Sequence, residues 1–238
     1  CEIVYVAVAV QHQLSGNGRK LVAVAATLAQ AAQATDVTGL DIVPATQDLS
    51  GAEVELVGVD DRTARLGQAL SERSGYDICF IDCPPSLGLL TLNALTAADT
   101  VLIPLQCEYY ALEGLAALLE TVDLVRSELN PKLAVEGVLL TMADPRNRLS
   151  GQVEEEVRSH LGERVFETVV PRNVRLSEAP SHGKPVILYD AHSKGAVAYL
   201  NLAEEVLGAS HGPEAAAVPS VAEAAALSEL ALEGEQHE

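Results

Sequence analysis

The chain has 238 residues, of which 48% are hydrophobic and 3% aromatic, and its formal net charge at pH 7 is −19. That length suits one large α/β domain, and the apolar share is ample for a core of Ala, Val, Leu and Ile. The negative charge excludes a protein that is basic over its whole surface, so DNA binding would need a local basic patch. The few aromatic residues argue against recognition of single-stranded nucleic acid by stacking.

The predicted elements alternate along the chain. Strands are predicted at residues 3–10, 40–43, 76–82, 101–104, 133–141, 165–170 and 186–189. Helices are predicted at residues 21–33, 50–57, 63–73, 87–95, 108–129, 151–161 and 194–207. This alternation predicts an α/β fold with a doubly wound, mostly parallel sheet flanked by helices.

The carboxyl-terminal segment differs in composition from the rest of the chain. Residues 209–238 contain six Glu and no Lys or Arg, so we expect a flexible acidic tail after a folded domain over residues 1–208. A membrane-surface helix would carry basic residues on its polar face, which argues against anchoring by the tail. The sequence contains no 18-residue apolar span and no signal peptide, which favours a soluble cytoplasmic protein.

The four cysteines lack the paired spacing of a zinc or redox site. Two of them, Cys79 and Cys83, lie in or just after an apolar run. We therefore expect them to be free thiols buried in the core.

A glycine-containing segment, residues 11–20, follows the first predicted strand and precedes the first predicted helix. Strand, loop and helix in this order form the usual place for a phosphate-binding loop, because loop and helix amides converge on an anion there. No Lys followed by Ser or Thr is present, and Arg19 and Lys20 come too late to face a phosphate. The segment is therefore either a degenerate phosphate loop or a simple strand-to-helix turn.

Asp82 directly follows an apolar run, residues 78–81, that predicts a strand buried on both faces. A carboxylate at the carboxyl end of such a strand lies where open α/β sheets bind ligands, and Walker B aspartates that hold Mg²⁺ have this position. Pro84 and Pro85 follow at once. Asp82 could therefore instead cap the next helix or anchor the Pro-Pro turn.

Three long motifs closely resemble the ParA/Soj chromosome-partition ATPases. They are residues 82–91 (DCPPSLGLLT), residues 106–114 (QCEYYALEG) and residues 170–183 (VPRNVRLSEAPSHG). The resemblance is dense from about residue 40 to residue 207. It implies a P-loop NTPase-like fold of the deviant Walker type. It also implies an ATP-dependent homodimer that uses ATP and Mg²⁺, binds DNA without sequence preference and is stimulated by a ParB-type partner.

The resemblance further implies roles for single residues. Asp82 matches the Walker B aspartate that holds Mg²⁺. Pro171 and Asn173 match a loop that packs on adenine, while Arg146 and Arg175 match basic positions that contact DNA. The two arginines also belong to the densest local basic cluster of an acidic chain, although exposed arginines with surface carboxylate partners are the alternative interpretation.

The amino-terminal part departs from the family pattern. Of the motif K-G-G-x-G-K-T-T only Gly16 is kept, as a residual phosphate-loop position. His12 stands at the signature lysine, Asn17 at the phosphate lysine and Gly18 at the Mg²⁺-binding hydroxyl. After residue 34 the chain also lacks the strand and D-x-D-P-Q-G loop that carry the aspartate positioning the attacking water. Without these groups most charge stabilisation is lost, and we expect very poor ATP hydrolysis or none.

The residues and the family resemblance are compatible with three functions. The first is a nucleoid-associated chromosome or plasmid partition protein that binds DNA in an ATP-dependent manner together with ParB. The second is a degenerate, nucleotide-independent binding or regulatory paralogue with no ATPase activity. The third is a MinD-like membrane ATPase, against which the tail without basic residues and the arginine-rich loop at residues 172–175 both argue.

Overall fold

The computed structural model describes residues 7–11, 21–25, 33–45, 49–71, 76–84, 86–108 and 111–209. The chain divides into two compact units, which we describe separately. The amino-terminal unit comprises Tyr5–Leu102 and Leu118–Glu136, and the carboxyl-terminal unit comprises Cys1–Val4, Ile103–Ala117 and Gly137–Glu238. A single domain over residues 1–208 stays a prediction.

The described part of the chain forms eight strands and eight helices. The strands are β1 Ala7–Gln11, β2 Leu21–Ala25, β3 Gln33–Ala34, β4 Leu40–Val43, β5 Ile78–Asp82, β6 Thr100–Gln106, β7 Ala134–Ala143 and β8 Val165–Pro171. The helices are α1 Leu49–Glu55, α2 Arg65–Ser71, α3 Leu89–Ala97, α4 Ala111–Glu128, α5 Arg148–Leu161, α6 Val174–Glu178, α7 Val186–Tyr189 and α8 Lys194–Ala209. Short 3-10 turns cover Leu56–Gly58, Gly162–Arg164 and Ala179–His182.

The hydrogen-bonded strand order is β3-β4-β2-β5-β1-β6-β7-β8. β2 is parallel to β4 and to β5, and β7 is parallel to β8. β1 is antiparallel to both β5 and β6, so those two strands run in the same direction as each other. β3 is antiparallel to β4. The predicted mostly parallel sheet flanked by helices is confirmed, with β1 and β3 as its reversed strands.

The core of each unit is aliphatic, as the composition predicts. In the amino-terminal unit the most deeply buried side chains include Ile81, Leu95, Val101, Leu118 and Leu119. In the carboxyl-terminal unit they include Ile103, Leu105, Leu115 and Leu140. Cys79, Cys83 and Cys107 are buried free thiols, and burial raises the pKa of Cys79 and of Cys83 to about 12. The predicted buried thiols are therefore confirmed for the described cysteines.

One buried amide fixes α3 in the amino-terminal unit. Asn93 is 5% exposed, and its Oδ1 accepts a hydrogen bond from the backbone N–H of Leu66 in α2. Its Nδ2 donates to the carbonyl oxygens of Arg62 and Leu89 at 2.8 and 3.0 Å. Because a buried amide is costly unless it is paired, these bonds hold α2 and α3 in one arrangement.

Two predicted elements are wrong. The helix predicted at residues 21–33 is replaced at Leu21–Ala25 by β2, and Gln33–Ala34 forms β3. Residues 26–32 lie outside the described residues. The sequence Leu-Val-Ala-Val-Ala can adopt either structure, and hydrogen bonding to β4 on one side and β5 on the other selects the strand.

The strand predicted at residues 186–189 is instead α7. Pro185 precedes it with φ −65° and ψ 150°, and its carbonyl oxygen accepts from the N–H groups of Leu188 and Tyr189. A run of four apolar residues does not distinguish strand from helix, and the proline starts the helical turn. The loop predicted before it likewise contains α6 and the 3-10 turn Ala179–His182.

We predict that Gly137 in β7 does not tolerate a side chain. An added Cβ would lie 2.7 Å from the ring of Phe166, which is 6% exposed and therefore cannot move freely. Gly137→Ala should lower the free energy of unfolding by about 1–3 kcal/mol in urea denaturation. Gly151 in α5 is the matched control, because nothing lies within 4 Å of its added Cβ. Gly151→Ala should raise the free energy of unfolding by about 0.5–1 kcal/mol. Equal effects of the two substitutions would contradict this packing.

Candidate functional site

Asp82 is the last residue of β5 in the amino-terminal unit. Its side chain is exposed but partly desolvated, which raises the pKa of the carboxyl. The N-cap of α3 is Gly88, and no side chain caps that helix. Asp82 is therefore not the cap, and among the described residues its carboxylate has no hydrogen-bond or ion-pair partner. The geometry leaves this carboxylate available at the carboxyl end of the strand.

A second carboxylate lies next to the loop that follows Asp82. The carboxyl group of Glu53 in α1 is packed against Gly88, so closely that a Cβ on Gly88 would clash with Oε1 of Glu53. That Oε1 is buried and has no hydrogen-bond partner in the described part of the chain. A negative group is favoured at the amino end of a helix, here α3. The sequence reasoning did not identify Glu53.

The direction of β1 separates Asp82 from the ends of the glycine-containing segment. Ala7 pairs with Asp82, whereas Gln11, four residues later, pairs with Ile78. Leu21, the first residue of β2, also pairs with Ile78. The chain therefore leaves β1 and enters β2 at the end of β5 opposite to Asp82, about 13 Å away at the usual rise per residue. Gly16, the predicted phosphate-loop position, lies outside the described residues.

The described residues do not make a complete ATP–magnesium site. Asp82 suits a single carboxylate ligand of Mg²⁺, which in nucleotide sites is otherwise held by phosphate oxygens and a hydroxyl. Among the described residues there is no group of three or more His, Cys, Asp or Glu that could hold a metal ion. The segment 12–20 would have to supply the phosphate contacts, and it contains no Lys followed by Ser or Thr.

The carboxyl-terminal unit brings the predicted arginines together. Ala143, the last residue of β7, pairs in parallel with Pro171, the last residue of β8. The backbone N–H of Arg172 donates to the carbonyl oxygen of Ala143 at 2.9 Å. The loops that follow the two strands therefore start side by side. These loops carry Arg146 and Arg172, and Arg175 follows in α6. We call these three residues the arginine edge.

Arg146 is held by its own loop. Nε and Nη2 of Arg146 donate to the two carboxylate oxygens of Asp144 at 3.0 and 2.9 Å, while its side chain is 86% exposed. The hydrogen bonds from Arg146 lower the pKa of Asp144 to about 2, so this carboxylate is charged at neutral pH. The positive charge of Arg172 also lowers the pKa of Asp144, so Arg172 lies near the pair of Asp144 and Arg146. Nη2 of Arg172 lies 3.8 Å from Oε1 of Glu108.

Arg175 has two carboxylate partners. Its Nη1 donates to Oε2 of Glu178 at 2.7 Å, and its Nε lies 3.2 Å from Oδ2 of Asp190. The hydroxyl of Tyr189 donates to the same oxygen of Glu178 at 3.2 Å. The hydrogen bond from Arg175 holds the pKa of Glu178 below its usual range. Surface pairing of the arginines, the alternative interpretation of the sequence, therefore describes their contacts correctly.

Pro171 and Asn173, the predicted adenine-loop residues, begin the segment that carries Arg175. Asn173 is the N-cap of α6, and its Oδ1 accepts from the backbone N–H of Arg175 at 2.8 Å. This cap uses the oxygen of the amide and leaves the Nδ2 donors for another group. Leu176 is packed against Gly195 of α8, where an added Cβ would lie 2.6 Å from its Cγ. The cap and this close contact fix the position of α6.

The sequence reasoning identified the arginines but missed the acidic side chains that hold them. The spacing of Arg175 and Glu178 is i,i+3, which on a helix brings two side chains together. That signal could be used only if α6 were known to be a helix, and the segment was predicted as a loop. Asp190 follows α7, which was predicted as a strand, so its approach to Arg175 had no local signal.

In the part of the chain that the structure describes, none of the helices is both long enough and apolar enough to cross a membrane.

Known proteins are similar to most of this chain. A family model described as an AAA domain matches residues 6–135. The sporulation initiation inhibitor protein Soj of Bacillus subtilis is 61% identical over 175 residues, which cover 73% of this chain and 69% of that protein. The chromosome partitioning protein ParA of Myxococcus xanthus is 62% identical over 174 residues, which cover 73% of this chain and 62% of that protein.

A solved structure agrees with the fold. The cobyrinic acid a,c-diamide synthase of Mycobacterium smegmatis, crystallised with an ATP analog and magnesium, has a TM-score of 0.65 and 30% identity, with 85% of this chain and 88% of that chain covered. The parallel strands, the motifs around Asp82 and the arginine edge, and these identities point to one family. The chain belongs to the ParA/Soj family of chromosome-partitioning proteins.

Proposed function

We propose that this protein is a chromosome or plasmid partition protein of the ParA type, which binds DNA without sequence preference and acts with a ParB-type partner. The observation that carries the DNA contact is the arginine edge, where the parallel pairing of Ala143 with Pro171 places two arginine-bearing loops side by side. Association with the nucleoid would follow from such binding. The names of the relatives support the role in partition.

The charge of the chain restricts where DNA can bind. Phosphates are contacted by Lys and Arg, and binding releases counterions in proportion to the contacts made. With a net charge of −19, most of the surface repels DNA. Arg146 and Arg172 lie in exposed loops and Arg175 is exposed on the short helix α6, so their guanidinium groups can reach a phosphate backbone. Such contacts position a protein on DNA without reading its sequence, as a partition ATPase requires.

For the nucleotide, we propose that the chain keeps residues that could contact ATP and Mg²⁺ but lacks the groups needed for hydrolysis. The crystallised synthase binds an ATP analog with magnesium, which supports ATP and Mg²⁺ as the cofactors of the wider fold. In this chain Asp82 would hold the Mg²⁺, and Pro171 with Asn173 would contact adenine. The residues at the phosphate loop lack the groups for phosphoryl transfer. An ATP-dependent homodimer would further need the lysine that His12 replaces.

A second candidate is a nucleotide-independent binding or regulatory protein that keeps the fold and the DNA or ParB contacts. The pairing of Gln11 and Leu21 with Ile78 favours this candidate, because it starts and ends the glycine-containing segment away from Asp82. Binding of a fluorescent ATP analogue, with and without Mg²⁺, separates the two. Micromolar, magnesium-dependent binding supports the ATP-dependent partition protein, and no binding supports the nucleotide-independent protein.

We predict that ATP hydrolysis by the purified protein stays at the background rate. The phosphate lysine and the Mg²⁺-binding hydroxyl are both missing, and each stabilises charge that develops on the transferred phosphoryl group. Asp82→Asn should therefore leave the rate unchanged in a phosphate-release assay. A rate near that of an intact relative, abolished by Asp82→Asn, would contradict the prediction.

We also predict that reversing the charge of Arg146 and Arg175 together weakens DNA binding. The double substitution to Glu should reduce the slope of log affinity against log salt by about 2, one for each lost phosphate contact. Fluorescence anisotropy with a random-sequence duplex measures both quantities.

The matched control for this experiment is the double substitution of Arg126 and Lys132 to Glu. Both residues belong to the amino-terminal unit and come before β7 begins at Ala134, whereas Arg146 and Arg175 belong to the carboxyl-terminal unit. The change in net charge is the same, so a general loss of attraction affects both variants equally. An unchanged salt slope in the Arg146 and Arg175 variant, or equal losses in the two variants, would rule out a DNA site at the arginine edge.

A further inference from the structure

We infer that Glu178 and Asp190 form an inhibitory carboxylate clamp on Arg175, so that a DNA phosphate binds this arginine only by displacing them. The inference rests on the proposed DNA contact of Arg175. It adds two acidic residues that set how strongly the site binds.

The clamp engages two separate nitrogen atoms of one guanidinium. Oε2 of Glu178 accepts from Nη1 at 2.7 Å, and Oδ2 of Asp190 lies 3.2 Å from Nε. A phosphate needs the same nitrogens for the paired hydrogen bonds that make arginine its preferred partner. Each fork of neighbouring nitrogens, Nε with Nη2 and Nη1 with Nη2, therefore includes a nitrogen that already contacts a carboxylate, so a phosphate competes with the clamp for either fork.

The clamp is also held in place by its surroundings. The hydroxyl of Tyr189 donates to Oε2 of Glu178, and the Tyr189 ring stacks on His182 with centroids 4.9 Å apart. The backbone of Arg175 is fixed by the cap from Asn173. Charge-charge contacts between freely moving surface groups contribute little. Here the Tyr189 hydroxyl holds the carboxylate of Glu178, and the Asn173 cap holds the backbone of Arg175. The clamp is therefore more than a chance surface pair.

The net charge of Arg175 and its two carboxylate partners determines how this group interacts with a phosphate. Arg175 carries one positive charge, and its two carboxylate partners carry two negative charges at neutral pH, so the group as a whole repels phosphate. The carboxylates remain half-exposed, with side-chain exposures of 38% for Glu178 and 35% for Asp190. They can therefore turn out to solvent when a phosphate arrives. DNA binding at this position is an exchange of anions, which makes it weaker and easier to reverse.

The test compares four forms of the full chain by anisotropy with a random-sequence duplex over a series of salt concentrations. They are the wild type, the clamp variant Glu178→Gln with Asp190→Asn, the variant Arg175→Ala, and the combination of all three substitutions. Both substitutions keep the size of the clamp residues, and Gln at position 178 also keeps an oxygen that accepts from the Tyr189 hydroxyl. Urea denaturation of each variant checks that it is folded.

The control variant is Glu155→Gln with Glu163→Gln. Both glutamates are exposed and neither pairs with an arginine within the part of the chain that the structure describes. This variant changes the net charge as the clamp variant does. We expect the clamp variant to bind DNA about three- to tenfold more tightly than the control variant. We expect that gain to disappear when Arg175 is also replaced.

The outcomes separate this inference from the proposed function. If wild type binds DNA and Arg175→Ala weakens binding, but the clamp variant gains no more than the control, the clamp is refuted and the DNA site stands. If the gain persists without Arg175, it comes from general charge and the clamp is again refuted. If no form binds DNA at any salt concentration, the proposed DNA role and the clamp fail together.

Discussion

The pairing of the last residues of β7 and β8 is the constraint on which the candidate DNA surface depends. Ala143 and Pro171 are aligned in parallel, and the N–H of Arg172 bonds to the carbonyl oxygen of Ala143. Parallel strands bring their carboxyl ends to the same edge, so the loops that follow them must start together. Buried aliphatic residues in both strands, such as Leu140 and Val170, fix this register. A shift by one residue would exchange the buried and exposed faces of a strand.

The arginines at this edge are already paired within the chain. Arg146 is bound by Asp144 through two hydrogen bonds, and Arg175 by Glu178 and Asp190. These pairs mean that counting basic residues overstates the attraction for DNA, because each arginine exchanges one anion for another when it binds a phosphate. The affinity then depends on how easily the carboxylates move away.

The sequence predicts the elements whose signals are local and misses those that depend on pairing. The apolar composition of β5, β6, β7 and β8 identifies all four as strands. Burial on both faces holds for most of β6 and the middle of β7, whereas in β5 buried residues alternate with partly exposed ones and β8 is buried mainly at its start, so the predicted full burial of residues 78–81 is only partly met. The strand β2 at Leu21–Ala25 was predicted as a helix, because only its two neighbours select the strand. The helix α7 was predicted as a strand because a run of only four apolar residues fits either element. Pro185, which precedes this run, was the signal for a helical turn. The resemblance located Asp82, Arg146 and Arg175. It gave no signal for Asp190, which approaches Arg175 from beyond α7.

The direction of β1 is another feature that local sequence does not predict, because it depends on strand pairing. Residue types show that the phosphate loop has lost its lysine and hydroxyl, whereas only pairing with β5 shows that Gln11 lies opposite to Asp82 along that strand. Both observations lead to the same expectation of weak nucleotide chemistry. The family relationship rests on identity across the motifs and is independent of how β1 is arranged. Ancestry and present activity are therefore separate questions for this chain.

Hydrogen exchange measured by mass spectrometry, with and without saturating random-sequence duplex DNA, tests the central claim most directly. The account predicts that DNA slows amide exchange in the two segments that carry the arginine edge, residues 144–148 and 172–182, and leaves residues 126–132 unchanged. Slower exchange at residues 126–132 alone, or unchanged exchange in both segments when DNA is bound, would contradict it.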